Sequence, residues 1–353
     1  MKFDVIIVGA GAAGASAALE LTKDDLSVLV IEKLSLPREK PCAGAMSRSV
    51  EKLLGLDLSK VIKNRAKFIK FYNNYQEELI IETSGLRAPI LVNRSEFDLY
   101  LLNKARTGKG EIVIYDQSAL SLLRESNDKV MVKTKHGQIY ESSYLIAADG
   151  AISKVATFAG LMKNRKFAQA VEVEIYTSES FYKKHEKAMT MNFFCVPEGY
   201  GWIFPKEKGH FSCGIGTWGK HIDLKPYLNN FLHKFFKKNC IKDTRLSRHP
   251  IPVYQANHPI ATNRILLTGD AAALTSPVTG EGIRFALQSG KIAASIIRHT
   301  IKNQKKLPEN FVSEEYQRAV KDTIEKELNF YLTFASLAFH GNPNLFYKTF
   351  IKS

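Results

Sequence analysis

The apolar positions at the start of the chain change period twice within the first 32 residues. A continuous apolar run from Phe3 to Val8 predicts a buried strand, an alanine-rich stretch to about Lys23 predicts a helix, and Ser27 to Glu32 predicts a second strand. That order predicts a βαβ unit with parallel strands. Helical spacing returns at Ser47 to Leu54 and at Arg94 to Arg106, where Phe97, Leu101 and Ala105 share a face. Between Glu111 and Ala148 three strand-like runs (EIVIYD, KVMVKT and QIY to YLIAA) predict a small antiparallel meander that rejoins the main sheet at Tyr144 to Ala148.

From about Gln169 to Trp218 alternating strands dominate (AVEVEIY, MTMNFFCV, GYGWIFP, HFSCGIG) and predict a second antiparallel sheet suited to covering a substrate. A basic helix from about Leu224 to Asn239 follows, then a buried strand from Arg264 to Thr268, a long helix from Gly282 to Thr300, and helical pattern over 311–353 with a loop at Gly341-Asn-Pro343. No internal repeat or low-complexity linker separates these parts. The lobes therefore interleave: 1–75, 90–165 and 250–300 form one, 76–89 and 166–249 a substrate lobe, and 301–353 a C-terminal helical region.

The 353 residues, 45% hydrophobic and 24% charged, exclude a disordered, collagen-like or multi-pass membrane chain. The longest apolar candidate, Tyr331 to Phe339, is broken by Thr333 and Ser336 and is far too short to span a bilayer. Phe3 to Val8 is too short for a secretory core, so a cytoplasmic protein, soluble or bound at a membrane surface, is expected. Cysteines at 42, 195, 213 and 240 form no CxxC pair and no zinc spacing with histidine, so no metal is expected. The nine histidines are scattered; His210, His249 and His258 border strands and read as structural. No proton donor is legible.

The chemistry begins at Gly9-Ala-Gly11-Ala-Ala13-Gly14. Gly9 permits a tight turn, Gly11 lets a pyrophosphate approach the backbone and Gly14 allows close helix packing, while the helix N-terminus offers N–H donors. Glu32, followed by Lys33, ends the second strand 23 residues after Gly9, placed to bind a ribose 2′-OH and to repel a 2′-phosphate. This favours FAD or NAD over NADP. A structural glycine turn would explain the glycines but not Glu32.

The run from Leu266 through Gly269-Asp270 to Gly280-Glu-Gly282-Ile283 ends a buried strand in an acid and opens a helix after a Pro/Gly loop. It resembles the GD motif of p-hydroxybenzoate-hydroxylase-like flavoproteins, which implies that Asp270 binds the ribityl chain and that the later helix N-terminus faces the flavin ring. A positive helix end there would stabilise anionic reduced flavin. Ala148-Asp149-Gly150 resembles the DG motif of the same superfamily, with Ser153-Lys154-Val155-Ala156 where SxVR is usual. Arg94 matches the superfamily's cofactor-reaching arginine; a surface arginine at a helix start is the ordinary alternative. One fingerprint only is present, so an external electron donor is implied, either a transient NAD(P)H or a reduced carrier.

Pro197-Glu-Gly-Tyr200-Gly-Trp202-Ile-Phe204-Pro205 matches the PxxYxWxFP signature of geranylgeranyl reductases, and Pro37 to Ser47 resembles their Cys-containing loop, with Ala43 and Ala45 at positions that are often Gly. The resemblance implies an α/β fold in which a Rossmann-like FAD-binding domain interleaves with the antiparallel substrate lobe. It also implies FAD, Cys42 and Ala43 beside the flavin, and Cys42, Tyr200 and Trp202 as catalytic candidates for reducing double bonds of a prenyl lipid or isoprenoid. By alternation alone, Tyr200, Trp202 and Phe204 share one strand face, which suits a cavity wall or a closed aromatic core. Two other functions stay open: a monooxygenase or halogenase of the same fold, since GWIFP partly matches the halogenase WxWxIP motif, and a non-catalytic flavin-binding, membrane-associated protein.

Charge adds one more feature. Of the net +15, Lys33 to Lys70 carries +7 and Lys220 to Arg248 carries +6. The second segment mixes Phe231, Leu232, Phe235 and Phe236 with Lys234, Lys237 and Lys238, a pattern that fits an anionic membrane surface or a solvated helix covering a sheet. No nucleic-acid motif accompanies the charge.

Overall fold

The computed structural model describes residues 1–115, 117–236, 246–303 and 307–340. Lys2–Val8 and Ser27–Ile31 pair in parallel around the helix Ala12–Leu21. The first sheet runs Glu111–Tyr115, Ser27–Ile31, Lys2–Val8, Ile139–Ala147, Val130–Thr134, Leu120–Glu125, with Ile265–Leu267 beside the end of Ile139–Ala147. Its central strands are buried on both faces, as continuous apolar runs in a parallel sheet must be.

EIVIYD is not in the meander; Glu111–Tyr115 extends the parallel edge beside Ser27–Ile31, and the third meander strand is Leu120–Glu125. The unbroken apolar centre of the first suits a parallel edge, while the weak alternation of LSLLRE hides the second.

Backbone contact fixes the loop above this sheet. Gly9 lies at φ +101°, and a Cβ there would stand 2.2 Å from the Ala148 carbonyl oxygen. The long helix Ile283–Asn303 approaches Ala12–Leu21 so closely that a Cβ on Gly290 would stand 2.2 Å from the Ala13 oxygen. At the same crossing the Ser16 hydroxyl donates to the Leu287 carbonyl, 2.7 Å away. Only small residues permit this approach.

The second sheet runs Ser247–Pro252, Phe167–Tyr176, His210–Thr217, Gly199–Pro205, Ala188–Phe193, Phe68–Asn73, Gln76–Glu82. Phe68–Asn73, expected with the first lobe, therefore sits here, parallel to Ala188–Phe193. The helix Leu224–Phe235 lays Leu224, Leu228 and Phe231 on the outer face of this sheet, over Val171, Val173, Ile203 and Ile215. Of the two readings of that amphipathic helix, the cover over a sheet is the one observed; Lys237, Lys238 and Cys240 lie outside the described residues. The inner face carries Met189, Met191, Tyr200, Trp202 and Phe204.

A small sheet of Ala45–Ser47, Pro89–Val92 and Ile62–Arg65 lies beside these layers. The C-terminal helices Phe311–Val320 and Lys326–His340 close the far side: Tyr316 donates to the Leu267 carbonyl (2.6 Å), and the Phe339 ring stacks on Trp218 with centroids 4.7 Å apart. The loop expected at Gly341-Asn-Pro343 lies outside the described residues.

Candidate active site

Where the two sheets face each other, a cavity of about 970 Å³ runs from the glycine loop to the aromatic face of the second sheet. Gly9, Gly11, Ala13, Glu32 and Lys33 of the first βαβ unit line it, with Cys42, Ala43, Arg94 and Asp149, and with Asp270, Gly280, Gly282 and Ile283 from the later turn and helix start. Tyr200 and Trp202 complete the far wall. Gly14 and Gly269 stay outside the lining. Gly14 packs under the loop, where a Cβ would stand 1.9 Å from the Gly9 oxygen, and Gly269 turns at φ +54° beneath Ala286.

The helix Ala12–Leu21 begins with no side-chain cap and no acidic residue in its first turn, so its N–H groups are left for an anion. Glu32 is buried at the end of its strand. Its Oε2 accepts from the Ala10 N–H (2.9 Å) and Arg38 Nε (3.1 Å), and its Oε1 from the Leu34 N–H (3.1 Å). Arg38 reaches Asp98 at 3.3 Å, and Asp98 in turn grips Arg94 in two bonds of 3.0 and 2.9 Å. Arg94 is thus a buried, paired cation beside Cys42, not a surface arginine. Arg38 was missed because a loop arginine shows no periodicity.

Asp270 pairs with Lys40 at 3.3 Å, another loop residue not foreseen. Burial opposes its ionisation, but Lys40, His249 and Arg94 outweigh that and hold the carboxyl below its ordinary range. His249, expected to be structural, instead lines the cavity. Burial and the nearby Lys40 push its pKa down to about 4, so its ring is neutral near pH 7. Asp149 is engaged locally: Ser153 Oγ (2.5 Å) and the Val155 N–H (3.1 Å) donate to it, and burial raises its pKa. Ala156, in the SxVR position, is fully buried, while the charge of Asp149 acts on the Arg165 guanidinium of another loop.

The aromatic wall rests on glycines. Tyr200 lies beside Gly216 and Trp202 beside Gly214 on the neighbouring strand. Tyr200 donates its hydroxyl hydrogen to the Thr279 carbonyl at the Pro/Gly loop, tying this wall to the segment before Ile283. Trp202 Nε1–H donates to Ser212 Oγ (3.2 Å), and Ser212 donates to Glu172 Oε1 (2.7 Å). Glu172 is a cavity-lining acid that no sequence motif marks. The available signal was two acids at alternate positions of AVEVEIY, opposite an entirely apolar face.

The residues present fit FAD. Thr275 Oγ1 and His249 Nε2 are buried polar atoms without a partner among the described residues, and both belong to cavity-lining side chains, as a polar ligand requires. Glu32, the uncapped helix end and Asp270 would hold ribose, pyrophosphate and ribityl groups in turn.

The family model described as FAD binding domain matches residues 2–319. A protein of uncharacterized function from Methanosarcina barkeri is 32% identical over 304 residues, covering 86% of this chain and 76% of the relative. The digeranylgeranylglycerophospholipid reductase of Thermoplasma acidophilum is 28% identical over 343 residues, covering 92% and 85%. Among solved structures, a geranylgeranyl bacteriochlorophyll reductase-like protein from the same organism superposes with a TM-score of 0.86 at 24% identity, over 98% of this chain and 90% of that one. From this site and these matches, the chain belongs to the FAD binding domain family and is an FAD-dependent oxidoreductase, similar in sequence and fold to proteins named as geranylgeranyl reductases.

Proposed function

We propose that the protein reduces carbon–carbon double bonds of a prenyl chain carried by a lipid or related isoprenoid. The observation that carries this reading is the continuity of the cavity: one space joins the polar cofactor end at Asp270 to an apolar wall of Met189, Met191, Trp202 and Phe204. Such a wall takes an extended hydrocarbon and excludes water. FAD, when bound, supplies the two-electron chemistry. Tyr200 and Trp202 orient the chain, with their polar edges held by Thr279 and Ser212. Cys42, beside Arg94, borders the same space. The electron donor, NAD(P)H or a reduced carrier, acts from outside.

The test is anaerobic incubation of the FAD-loaded protein with dithionite and a digeranylgeranyl phospholipid, followed by mass spectrometry of the lipid. Addition of hydrogen to the prenyl chains without oxygen is expected. A strict need for oxygen would favour the monooxygenase or halogenase reading, and an unchanged lipid the non-catalytic one.

A further inference from the structure

Resting on the alkene-reduction reading, we propose that Glu172 is the proton donor of the reaction and that Glu174 and His210 return its proton from solvent. Ala170 and Glu172, two apart on one face of Phe167–Tyr176, line the cavity, and Glu172 borders it at 7% exposure. It stands in one cross-sheet row with Gly214 and Trp202. Because residue 214 has no side chain, only the small Ser212 hydroxyl of the intervening strand stands between the acid and the indole. Ser212 bonds to both and fixes the carboxyl beside the hydrocarbon wall.

A route outward is built into the same strands. Glu174, two residues on, is within hydrogen-bonding reach of Glu172. Its Oε2 meets His210 Nε2 at 2.5 Å and its Oε1 accepts from Lys206 Nζ at 3.2 Å. Glu174 is one-third exposed, so it touches both solvent and the buried acid. The groups facing Glu172 are Glu174 on its own strand, Ser212 and His210 on His210–Thr217, Lys206 after Gly199–Pro205, and Ser247 and His249 on Ser247–Pro252. Burial first, and then the negative charge of Glu174, raises the pKa of Glu172. Burial opposes ionisation of Glu174 too, but His210 and Lys206 outweigh it and keep that residue ionised. The inner acid holds a proton and the outer one passes it.

The step balances. The alkene π bond breaks, a hydride from reduced FAD forms one C–H bond, and the Glu172 O–H bond breaks to form the other. FAD ends oxidised, and the Glu172 carboxylate is reprotonated from solvent through Glu174 and His210. An unactivated alkene accepts hydride only as a proton arrives, so a positioned acid is required.

Glu172→Gln keeps the shape and the bond from Ser212. In single turnover with reduced FAD and a prenyl lipid, it is expected to slow reduction about 10²- to 10⁴-fold while FAD affinity stays at the wild-type value. Glu172→Asp should restore part of the rate. Glu174→Gln removes the charge that raises Glu172, so the alkaline limb of the rate profile should move to lower pH. Independently of turnover, one component of the protonated-carboxyl infrared band, shifted in D2O and separate from that of Asp149, should be present in flavin-free wild type and missing in Glu172→Gln. Wild-type rate in Glu172→Gln, or that component surviving in it, would overturn the assignment and leave alkene reduction intact. Absence of wild-type turnover with that component present would overturn the reduction reading and leave the protonated acid standing.

Discussion

The indole of Trp202 occupies the space that a side chain on Gly214 would fill: a Cβ there would stand 2.2 Å from Trp202 Cζ2 and 2.5 Å from the Val171 carbonyl oxygen. Neither neighbour can give way easily, since one is a wedged ring and the other backbone. Gly214→Ala is expected to cost about 1–3 kcal/mol of stability through overpacking. Chemical denaturation measures the loss, and a shift in tryptophan emission reports the displaced ring. An unchanged midpoint and spectrum would contradict the wedge.

The two ends of the cavity should respond differently to truncation. Asp270→Ala removes the partner of Lys40 and a charged acceptor for the cofactor, an effect of about 1.5–3 kcal/mol for hydrogen bonds to charged groups. FAD affinity, measured by flavin fluorescence titration, should fall roughly tenfold or more. Cys42→Ala should leave it nearly unchanged, and equal losses would contradict the role assigned to Asp270.

Helix contact, not cofactor contact, is tested at Gly290. A Cβ there meets the Ala13 backbone, so Gly290→Ala must push the long helix away from the helix that follows the glycine loop. Thermal unfolding should occur at lower temperature, and FAD affinity should weaken with it, because the loop rides on the displaced helix.

Two titrating groups of the cavity, His249 and Glu172, give stability slopes of opposite sign. His249 has its pKa lowered from 6.5 to about 4, so the folded state binds fewer protons than the unfolded one in that window. Its contribution is present above pH 6.5 and lost as pH falls toward 4, by roughly 3 kcal/mol at most. Glu172 has its pKa raised from 4.5 to about 7, so its contribution is present below 4.5 and lost as pH rises through 7. Denaturation of flavin-free His249→Gln should flatten the acid side of the stability profile, and Glu172→Gln the alkaline side. The reverse assignment of slopes would refute both placements.

Charge invites a membrane experiment with a modest expected signal. Much of the +7 between Lys33 and Lys70 is already paired: Arg38 with Glu32 and Asp98, Lys40 with Asp270, Arg48 and Arg65 with Glu51, Lys63 with Glu96 and Glu207. Flotation with anionic vesicles should still retain the protein at low salt and release it at high salt, through unpaired surface lysines. Retention at high salt would instead point to apolar insertion.

The sequence by itself determined the βαβ start, the glycine loop, Glu32, the Asp270 turn and the one-sided aromatic strand, because each is written in local spacing that a short window contains. It also set the side of the strand on which Tyr200, Trp202 and Phe204 stand, since alternation is fixed by the pleat. Only the tertiary structure decided what lies opposite them. Gly214 and Gly216 open room for the rings from the neighbouring strand, and Phe68–Asn73 joins the second sheet from a distant part of the chain. Arg38, Lys40 and His249 enter the cavity from segments whose local pattern is silent, and Glu172 from a strand whose alternating acids mark a polar face but not what it faces. Charge pairing and burial depend on distances across the fold, and those distances follow from how the sheets face each other, not from the order of residues.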